Sequence, residues 1–303
     1  MTKIKYWMLL SRIPFLSVVI LPYILGALLA AHLTGKFNLV VFLLGLAGSI
    51  LVQLAAHYNG EICDIKEDRL SITLEKNFFS GGSQVLVKKL IPERKVKSLT
   101  YLVIILAFVI GVLLQLYFKT GKWTLLLGIS GIICGFFYSQ PPLRWVSRGT
   151  GEVFIAYAFG WLPVTVGFYL QAGGFNFLAT LISLPIACAV VNIILINEYP
   201  DYPADKQAGK QNILVRIGKE KGAYLYAALV LLAGIAFFYA VLNGSSWLGA
   251  IFYELVFIVA LKLAHDMLKG DYNNRQKLEQ LCARTILVNF GTSLSCILGL
   301  LLG

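Results

Sequence analysis

Two short acidic segments of this chain share one spacing. In each, an acidic residue is followed by an aspartate at the third position, another aspartate at the seventh and a cation at the eighth. The first group is Glu61, Asp64, Asp68 and Arg69, and the second is Glu198, Asp201, Asp205 and Lys206. Residues three and four apart share a helix face, so each group predicts a row of carboxylates on one side of a helix.

Carboxylates held this close repel one another and raise each other's pKa unless a cation neutralises them. Mg²⁺ prefers oxygen ligands and commonly binds through one or two carboxylates together with waters and substrate phosphates. Two facing groups therefore suit two Mg²⁺ ions that bridge a diphosphate. The alternative is a pair of solvated helix ends, with the acids of the first group satisfied by Lys66 and Arg69.

The second group contains Pro200 and Pro203. Proline lacks a backbone N–H and clashes with the preceding helical turn. The sequence thus predicts that this segment is not one regular helix. We expect a helix end or broken turn that still directs Asp201 and Asp205 inward.

The elements that position these groups are set by composition. Of the 303 residues, 58% are hydrophobic and only 14% charged, and the mean hydropathy is +0.77, which is typical of an integral membrane protein. Spanning segments in lipid must satisfy their own backbone groups, so the predicted fold is all-α and polytopic with nine transmembrane helices. The nine apolar runs lie at about 13–33, 39–58, 100–118, 123–139, 151–171, 176–196, 222–242, 246–265 and 285–302.

The net charge of +11 follows membrane topology rather than a nucleic-acid surface. Of the 26 Lys and Arg residues, only Lys36, Lys119 and Lys122 lie in one set of alternate connections. Because cytoplasmic loops are enriched in Lys and Arg, we predict a cytoplasmic N-terminus and an outside C-terminus. We predict the plasma (inner) membrane, with the acidic groups facing the cytoplasm.

The two longest polar stretches, 60–99 and 197–221, each begin with an acidic group. This suggests a duplication of about four helices within one domain covering residues 1–303. The halves would be roughly 1–120 and 121–265, followed by the last helix.

The second group extends to Asn197-Glu198-x-x-Asp201-x-x-x-Asp205, which resembles the N-(D/E)-x-x-D-x-x-x-D motif of the UbiA superfamily of intramembrane prenyltransferases. The run from Asp205 to Gly218 resembles that of the menaquinone-forming branch, with Asn212 in place of a usual threonine. The block from Tyr138 to Glu152 and the position of Arg12 are also similar to the family. In the first group Gly60 occupies the asparagine position, and Asn59 lies one residue early.

The resemblance implies that an allylic polyprenyl diphosphate ionises and that an aromatic acceptor attacks the resulting cation. It makes Asp64, Asp68, Asp201 and Asp205 the catalytic Mg²⁺ ligands. The residues expected to contact the substrates are Arg12, Asn59, Glu61, Arg69, Lys76, Tyr138, Arg144, Asn197, Glu198 and Lys206.

The branch implies 1,4-dihydroxy-2-naphthoate as the acceptor, in menaquinone biosynthesis. The alternatives are 4-hydroxybenzoate or another phenolic or lipid acceptor and, in a different class, a membrane transporter or lipid-binding protein. Transporters place their polar sites near the bilayer midplane, whereas the acids here lie at the ends of apolar runs. The expected partners are the polyprenyl diphosphate, the acceptor and the bilayer; no nucleic acid and no protein partner is implied.

Overall fold

The computed structural model describes residues 3–74 and 82–303, and of residue 3 and residues 72–74 it describes the backbone alone. Every regular element in these ranges is helical, which confirms the all-α prediction. The helices are α1 (Lys3–Leu10), α2 (Ser17–Thr34), α3 (Leu39–Cys63), α4 (Ile65–Leu74), α5 (Glu93–Tyr117), α6 (Thr124–Ser139), α7 (Gly151–Ala172), α8 (Phe177–Ala208), α9 (Ile213–Ile217), α10 (Lys219–Leu242), α11 (Trp247–Leu268) and α12 (Arg275–Leu302).

Eight helices of the described ranges are long and apolar enough to cross a membrane: α2 with its preceding 3-10 turn, α3, α5, α7, α8, α10, α11 and α12. These coincide with eight of the predicted runs. The remaining run forms α6, whose 16 residues extend about 24 Å at ~1.5 Å per residue. This is shorter than a hydrocarbon core of roughly 30 Å. Nine crossings and the orientation of the termini therefore stay predictions.

Helix α8 runs through the middle of the bundle. It packs against α10, α12 and a π turn within α7, and it is apolar around its whole circumference along much of its length. A helix that is hydrophobic all round is expected to be buried. The largest apolar core joins α8 to α2, α7 and α12, so α8 links the two halves of the chain.

Helices α2 and α7 approach each other at two glycines. A Cβ on Gly26 would overlap the carbonyl of Val164, and a Cβ on Gly167 would overlap the carbonyl of Tyr23. Small residues at membrane helix interfaces allow backbones to come this close, and van der Waals contact is then the main attraction. This contact fixes the position of α2, and thereby of the residues that precede it.

The two acidic groups lie on helices that differ from the expectation. The prediction of a broken second segment is wrong, because α8 continues through Pro200 and Pro203 to Ala208. Pro200 cannot donate to the carbonyl of Ile196, and this carbonyl instead accepts a hydrogen bond from the Cys282 thiol at 3.7 Å. A neighbouring helix thus replaces the bond that the proline removes.

The first group does not lie on one regular helix. Helix α3 carries Glu61 and ends at Cys63, Asp64 sits at the junction with φ −100° and ψ 13°, and α4 carries Asp68. The junction allows the group to turn across the end of the bundle.

We predict that Gly26→Val and Gly167→Val each destabilise the protein by about 1–3 kcal/mol, because the added side chain meets backbone that cannot move aside. The measurement is the thermal unfolding midpoint in detergent. The matched control is Gly128→Val in α6, where a Cβ has no neighbour within 4 Å. An unchanged midpoint for Gly26→Val would contradict the proposed close contact.

Candidate active site

The two acidic groups meet at one end of the bundle. The Ser71 hydroxyl of α4 donates a hydrogen bond to Asp201 Oδ1 of α8 at 3.0 Å. Lys210 Nζ lies 3.4 Å from Asp205 Oδ1. Burial lowers the pKa of Lys210, but the charges of Asp64 and Asp205 outweigh it, so the pKa is raised. The Lys210 ammonium therefore pairs with Asp205 of the second group, and the negative charge of Asp64 in the first group also stabilises it.

Glu61 is the most buried acid of the first group, with a side chain 1% exposed. Its Oε1 accepts from Arg12 Nη2 at 2.6 Å and from Arg12 Nε at 3.1 Å. The Ser83 amide also donates to Oε1 at 2.8 Å, and the Ser83 hydroxyl donates to Oε2 at 2.5 Å. In this conformation Glu61 joins the start of the bundle to residue 83, and both its oxygens are occupied.

Arg144 connects two further acids of the same region. Its Nη2 donates to Glu67 Oε1 at 2.6 Å and to Asp64 Oδ1 at 3.3 Å. Partial burial lowers the pKa of Arg144, but the bond to Glu67 and the charges of Glu67 and Asp64 raise it above its ordinary value. The residue adopts φ 37°, a left-handed conformation that is costly for a side chain and persists only where contacts enforce it.

Asp68 lies beneath residue 82. Its side chain is close enough to Gly82 that a Cβ there would overlap Oδ2. Burial, followed by the charges of Glu61 and Asp64, raises the pKa of Asp68 to about 8. The charges of Glu61 and Asp64 thus oppose ionisation of Asp68, and a bound divalent cation would relieve this repulsion.

The second group is organised by the loop that follows α8. Asn212 Nδ2 donates to Asp205 Oδ2 at 2.8 Å. The Leu214 amide donates to Glu198 Oε2 and the Ile213 amide to Glu152 Oε1, each at 3.3 Å. Glu198 and Glu152 therefore hold the loop that places Lys210 and Asn212 on Asp205.

Several other residues that the sequence predicted to contact the substrates form no hydrogen bond or ion pair with the acidic carboxylates within the described ranges. Asn59 turns toward α6, where its Nδ2 donates to the Phe136 carbonyl at 2.7 Å. Arg69 and Lys206 are exposed, and Lys206 lies 5.8 Å from the Tyr202 ring centroid. Lys76 lies outside the described residues.

Two predicted residues remain near the cluster. Tyr138 lies in the last turn of α6, where a Cβ on Gly151 would come within 3.1 Å of its ring. Asn197 has a buried Oδ1 that accepts no hydrogen bond within the described residues.

Sequence reasoning missed Glu67, Ser83 and Lys210 as site residues. Glu67 follows Asp64 by three residues, a helical spacing that could have indicated a shared face. Lys210 stands in the glycine-lysine pair after the second group, which was noted for its resemblance rather than its charge. The role of Ser83 has no local signal, because it depends on the chain returning to Glu61.

The oxygen donors fit Mg²⁺ in type. Asp64, Asp68 and Asp201 supply carboxylates, and the buried Glu67 Oε2 and Asn197 Oδ1 have no hydrogen-bond partner in the described ranges. Among those residues no three His, Cys, Asp or Glu side chains form a ready-made metal cage. That agrees with Mg²⁺, which keeps several waters and takes substrate phosphates in place of an all-protein cage.

The UbiA prenyltransferase family model matches residues 19–286. The chain belongs to this family. The chain is thus a UbiA-type prenyltransferase and an integral membrane protein, as the motifs predicted.

Two curated UbiA relatives cover most of the chain. The 1,4-dihydroxy-2-naphthoate octaprenyltransferase of Bacillus subtilis is 29% identical over 248 residues, covering 80% of this chain and 76% of the relative. The 2-carboxy-1,4-naphthoquinone phytyltransferase of Synechocystis is 25% identical over 227 residues, covering 72% and 68%.

Solved structures show the same UbiA fold. A UbiA homologue from Archaeoglobus fulgidus, bound to GPP and Mg²⁺, aligns with TM-score 0.64 and 16% identity over 96% of this chain and 99% of that one. A digeranylgeranylglyceryl phosphate synthase aligns with TM-score 0.70 and 19% identity over the whole of both chains. At these identities the likeness establishes the fold alone.

We predict that Gly82→Ala disrupts this UbiA site. Gly82 has φ +59°, and an added Cβ would overlap Asp68 Oδ2 and come within 3.1 Å of Glu61 Oε1. A left-handed alanine costs about 1–2 kcal/mol, and the clash adds about 1–3 kcal/mol. Thermal unfolding in detergent should show a loss of stability equal to the sum of these two costs.

The matched control is Gly35→Ala, because Gly35 has φ +66° and open space around its Cβ position. It should show only the backbone cost. Equal losses for the two variants would mean that Gly82 does not press on the carboxylates.

Proposed function

We propose that this enzyme transfers a polyprenyl group from an allylic polyprenyl diphosphate to 1,4-dihydroxy-2-naphthoate in menaquinone biosynthesis, and that the transfer depends on Mg²⁺. The observation that carries the proposal is the convergence of the two acidic groups, linked by the Ser71–Asp201 hydrogen bond. The names of the Bacillus subtilis and Synechocystis relatives support a naphthoate-type acceptor.

In this proposal Asp64, Asp68, Asp201 and Asp205 would hold two Mg²⁺ ions, which would supply positive charge to the diphosphate. The bound GPP and Mg²⁺ of the Archaeoglobus fulgidus homologue support this assignment. Arg12 pairs with Glu61, Arg144 with Asp64 and Lys210 with Asp205, and these three cations would contact the diphosphate oxygens. Arginine suits this role because its planar fork donates to two oxygens at once.

The reaction breaks the allylic C–O bond, and the diphosphate leaves with the electron pair. The carboxyl-bearing ring carbon of the acceptor then forms the new C–C bond, and its carboxylate departs as carbon dioxide. Fixed positive charge aimed at the leaving group in a site with little water is the main source of rate enhancement for such a step. Tyr138 lies in the last turn of α6 beside Gly151, and in this proposal its ring face stabilises the allylic cation.

An apolar cavity between the membrane helices is the proposed site for the prenyl chain. This cavity, of about 100 Å³, is bounded mainly by α3, α5, α6 and α7. Its lining includes Ala56, five residues before Glu61 in α3, and Gly135, three residues before Tyr138 in α6. Glycines at several levels of α3 and α6 leave room along its length. We infer that the isoprenoid tail extends from the acidic end into this cavity.

The acceptor alternatives keep the same acidic site. They are 4-hydroxybenzoate, another phenol or a lipid acceptor, and the fold shared with a digeranylgeranylglyceryl phosphate synthase supports including lipids. We also propose residence in the plasma membrane with this end of the bundle facing the cytoplasm. The concentration of Lys and Arg in its connections supports that orientation.

The central test is prenyl transfer by the purified protein with Mg²⁺, polyprenyl diphosphates of several lengths and a panel of the acceptors named above. Mass spectrometry should identify a prenylated, decarboxylated naphthoate and released diphosphate. If product forms with 4-hydroxybenzoate alone, 4-hydroxybenzoate is the acceptor instead of 1,4-dihydroxy-2-naphthoate. If neither prenylated product nor released diphosphate forms with any acceptor, the proposed reaction is contradicted.

We predict that Asp64→Asn and Asp201→Asn each lower Mg²⁺-dependent turnover about 100-fold or more, because each removes a charge that holds metal and diphosphate. Initial rates with saturating Mg²⁺ measure the effect. Asp266→Asn is the control, since Asp266 lies near the last turn of α11 at the same end of the bundle. A near-normal rate in either test variant would remove that residue from the metal site.

We predict that Gly128→Leu shifts the enzyme toward shorter prenyl diphosphates. Gly128 lines the cavity, and a Cβ there meets nothing within 4 Å, so a leucine can begin without a clash and extend into the space proposed for the tail. Relative kcat/KM for diphosphates of graded length measures the shift, with Gly128→Ala as the control of similar backbone effect. An unchanged length preference in Gly128→Leu would place the tail elsewhere.

A further inference from the structure

A second surface of the molecule lies beside the acidic site. It is formed by α1 and residues 84–97, and we call it the α1/84–97 surface. Its inner side is an apolar cluster in which Leu10, Val85 and Val96 are fully buried. Because α1 and the 84–97 segment share this cluster, they form one packed unit.

The outer side of α1 is apolar. Ile4 is 70% exposed, Met8 52% and Leu9 44%, and Ile4 and Met8 share one helix face. A short helix that buries one apolar side in the protein and exposes another, next to lysines, is typical of segments that lie in the membrane interface. Lys5 is an exposed cation of this helix.

The 84–97 segment adds a cluster of exposed cations. These are Lys88, Lys89, Arg94 and Lys95, which form no ion pair with the described residues, whereas Lys97 pairs with Glu93 at 2.6 Å. The surface therefore carries a strong excess of positive charge.

A constrained turn presents the first of these cations. The Lys89 amide donates to the Leu86 carbonyl and the Leu90 amide to the Val85 carbonyl, each at 3.0 Å. Lys89 itself has φ 53°, the left-handed region that is unfavourable for lysine. Buried Val85 and Ile91 on either side hold the turn, so Lys88, Lys89 and Leu90 point outward.

Helix α5 indicates where the α1/84–97 surface lies relative to the hydrocarbon core of the bilayer. Arg94 and Lys95 begin this helix, and the same helix then exposes Leu102, Ile105 and Val109 by 51%, 59% and 54%. That exposed apolar strip is the lipid-facing side of a membrane span. The cations therefore lie where the hydrocarbon-facing strip ends, about 12 Å of helix from Leu102 at ~1.5 Å per residue.

We propose that the α1/84–97 surface docks onto anionic lipid headgroups of the bilayer in which the chain resides. Ile4, Met8 and Leu9 enter the interface, and the unpaired cations contact lipid phosphates. Charge complementarity and continuity with the lipid-facing strip of α5 favour this occupant over an acidic protein. Each Lys or Arg near an anionic surface contributes about 1 kcal/mol.

The docking would also support the acidic site. Arg12 follows α1 and Ser83 precedes the basic segment, and both donate to Glu61. Holding the α1/84–97 surface against the membrane therefore holds the two partners of Glu61. Only this consequence for turnover depends on the proposed function; the lipid contact does not.

The test uses the full-length protein in detergent, titrated with phosphatidylglycerol or phosphatidylcholine and followed by native mass spectrometry. The variant is K88Q/K89Q/K95Q. The matched control is K262Q/K269Q/R284Q, which removes the same charge from exposed positions on α11, α12 and their connection. Thermal unfolding confirms that both variants fold.

We expect the wild type to bind phosphatidylglycerol more tightly than phosphatidylcholine. The K88Q/K89Q/K95Q variant should lose at least about 10-fold in phosphatidylglycerol affinity, and up to about 100-fold from three cations, while the control changes less than about threefold. Equal losses in both variants, or no headgroup preference in the wild type, would overturn the proposal.

A second readout locates the contact. Amide hydrogen exchange of residues 84–97 should slow in nanodiscs that contain phosphatidylglycerol compared with phosphatidylcholine alone. Soluble poly-glutamate serves as the rival probe. If K88Q/K89Q/K95Q keeps its lipid affinity but loses poly-glutamate binding, the surface serves an acidic protein and the proposal fails.

Discussion

The structure depends on keeping many largely buried carboxylates together at one end of an apolar helix bundle. Removing a charge from water costs several kcal/mol unless it is paired and hydrogen-bonded. Arg12 and Arg144 pair with acids of the first group, and Lys210 pairs with Asp205 of the second. Arg12 and Arg144 do so from left-handed backbone conformations, which tertiary contacts must maintain. The surplus of negative charge that remains is the property that suits the site to cations.

The same requirement explains the surrounding architecture. The acids stand on the ends of α3, α4 and α8, so their positions follow from helix packing. The glycine contact between α2 and α7 fixes the start of α2, and Arg12 lies just before it. The loop after α8 is anchored by Glu152 and Glu198, which places Lys210 over Asp205. Membrane helices therefore carry the carboxylates, and the connecting segments with Ser83, Arg144 and Lys210 supply their partners.

Much of the fold could be predicted from the sequence because the length and apolarity of a segment are local properties. The eight long helices fall on predicted runs, and the acidic spacing identified both halves of the candidate site. The continuity of α8 could not be predicted, since the Ile196 carbonyl freed by Pro200 accepts a hydrogen bond from Cys282 on α12, which is adjacent in space but far along the chain. Likewise, Asn59 is drawn toward the Phe136 carbonyl, a partner that no local pattern reveals. Local sequence specifies the elements, but partners from elsewhere decide how individual polar groups are used.

The Glu61 contacts have a consequence for the order in which the protein is made. Arg12, Glu61 and Ser83 lie within a short stretch of chain, with separations of 49 and 22 residues. The bond between Ser71 and Asp201 spans 130 residues. A ribosome therefore releases the first half of the site as a nearly self-contained unit, while its carboxylates still lack the second half. During that interval Arg12 and Ser83 are the groups that keep Glu61 from being an unpaired charge in a growing membrane protein.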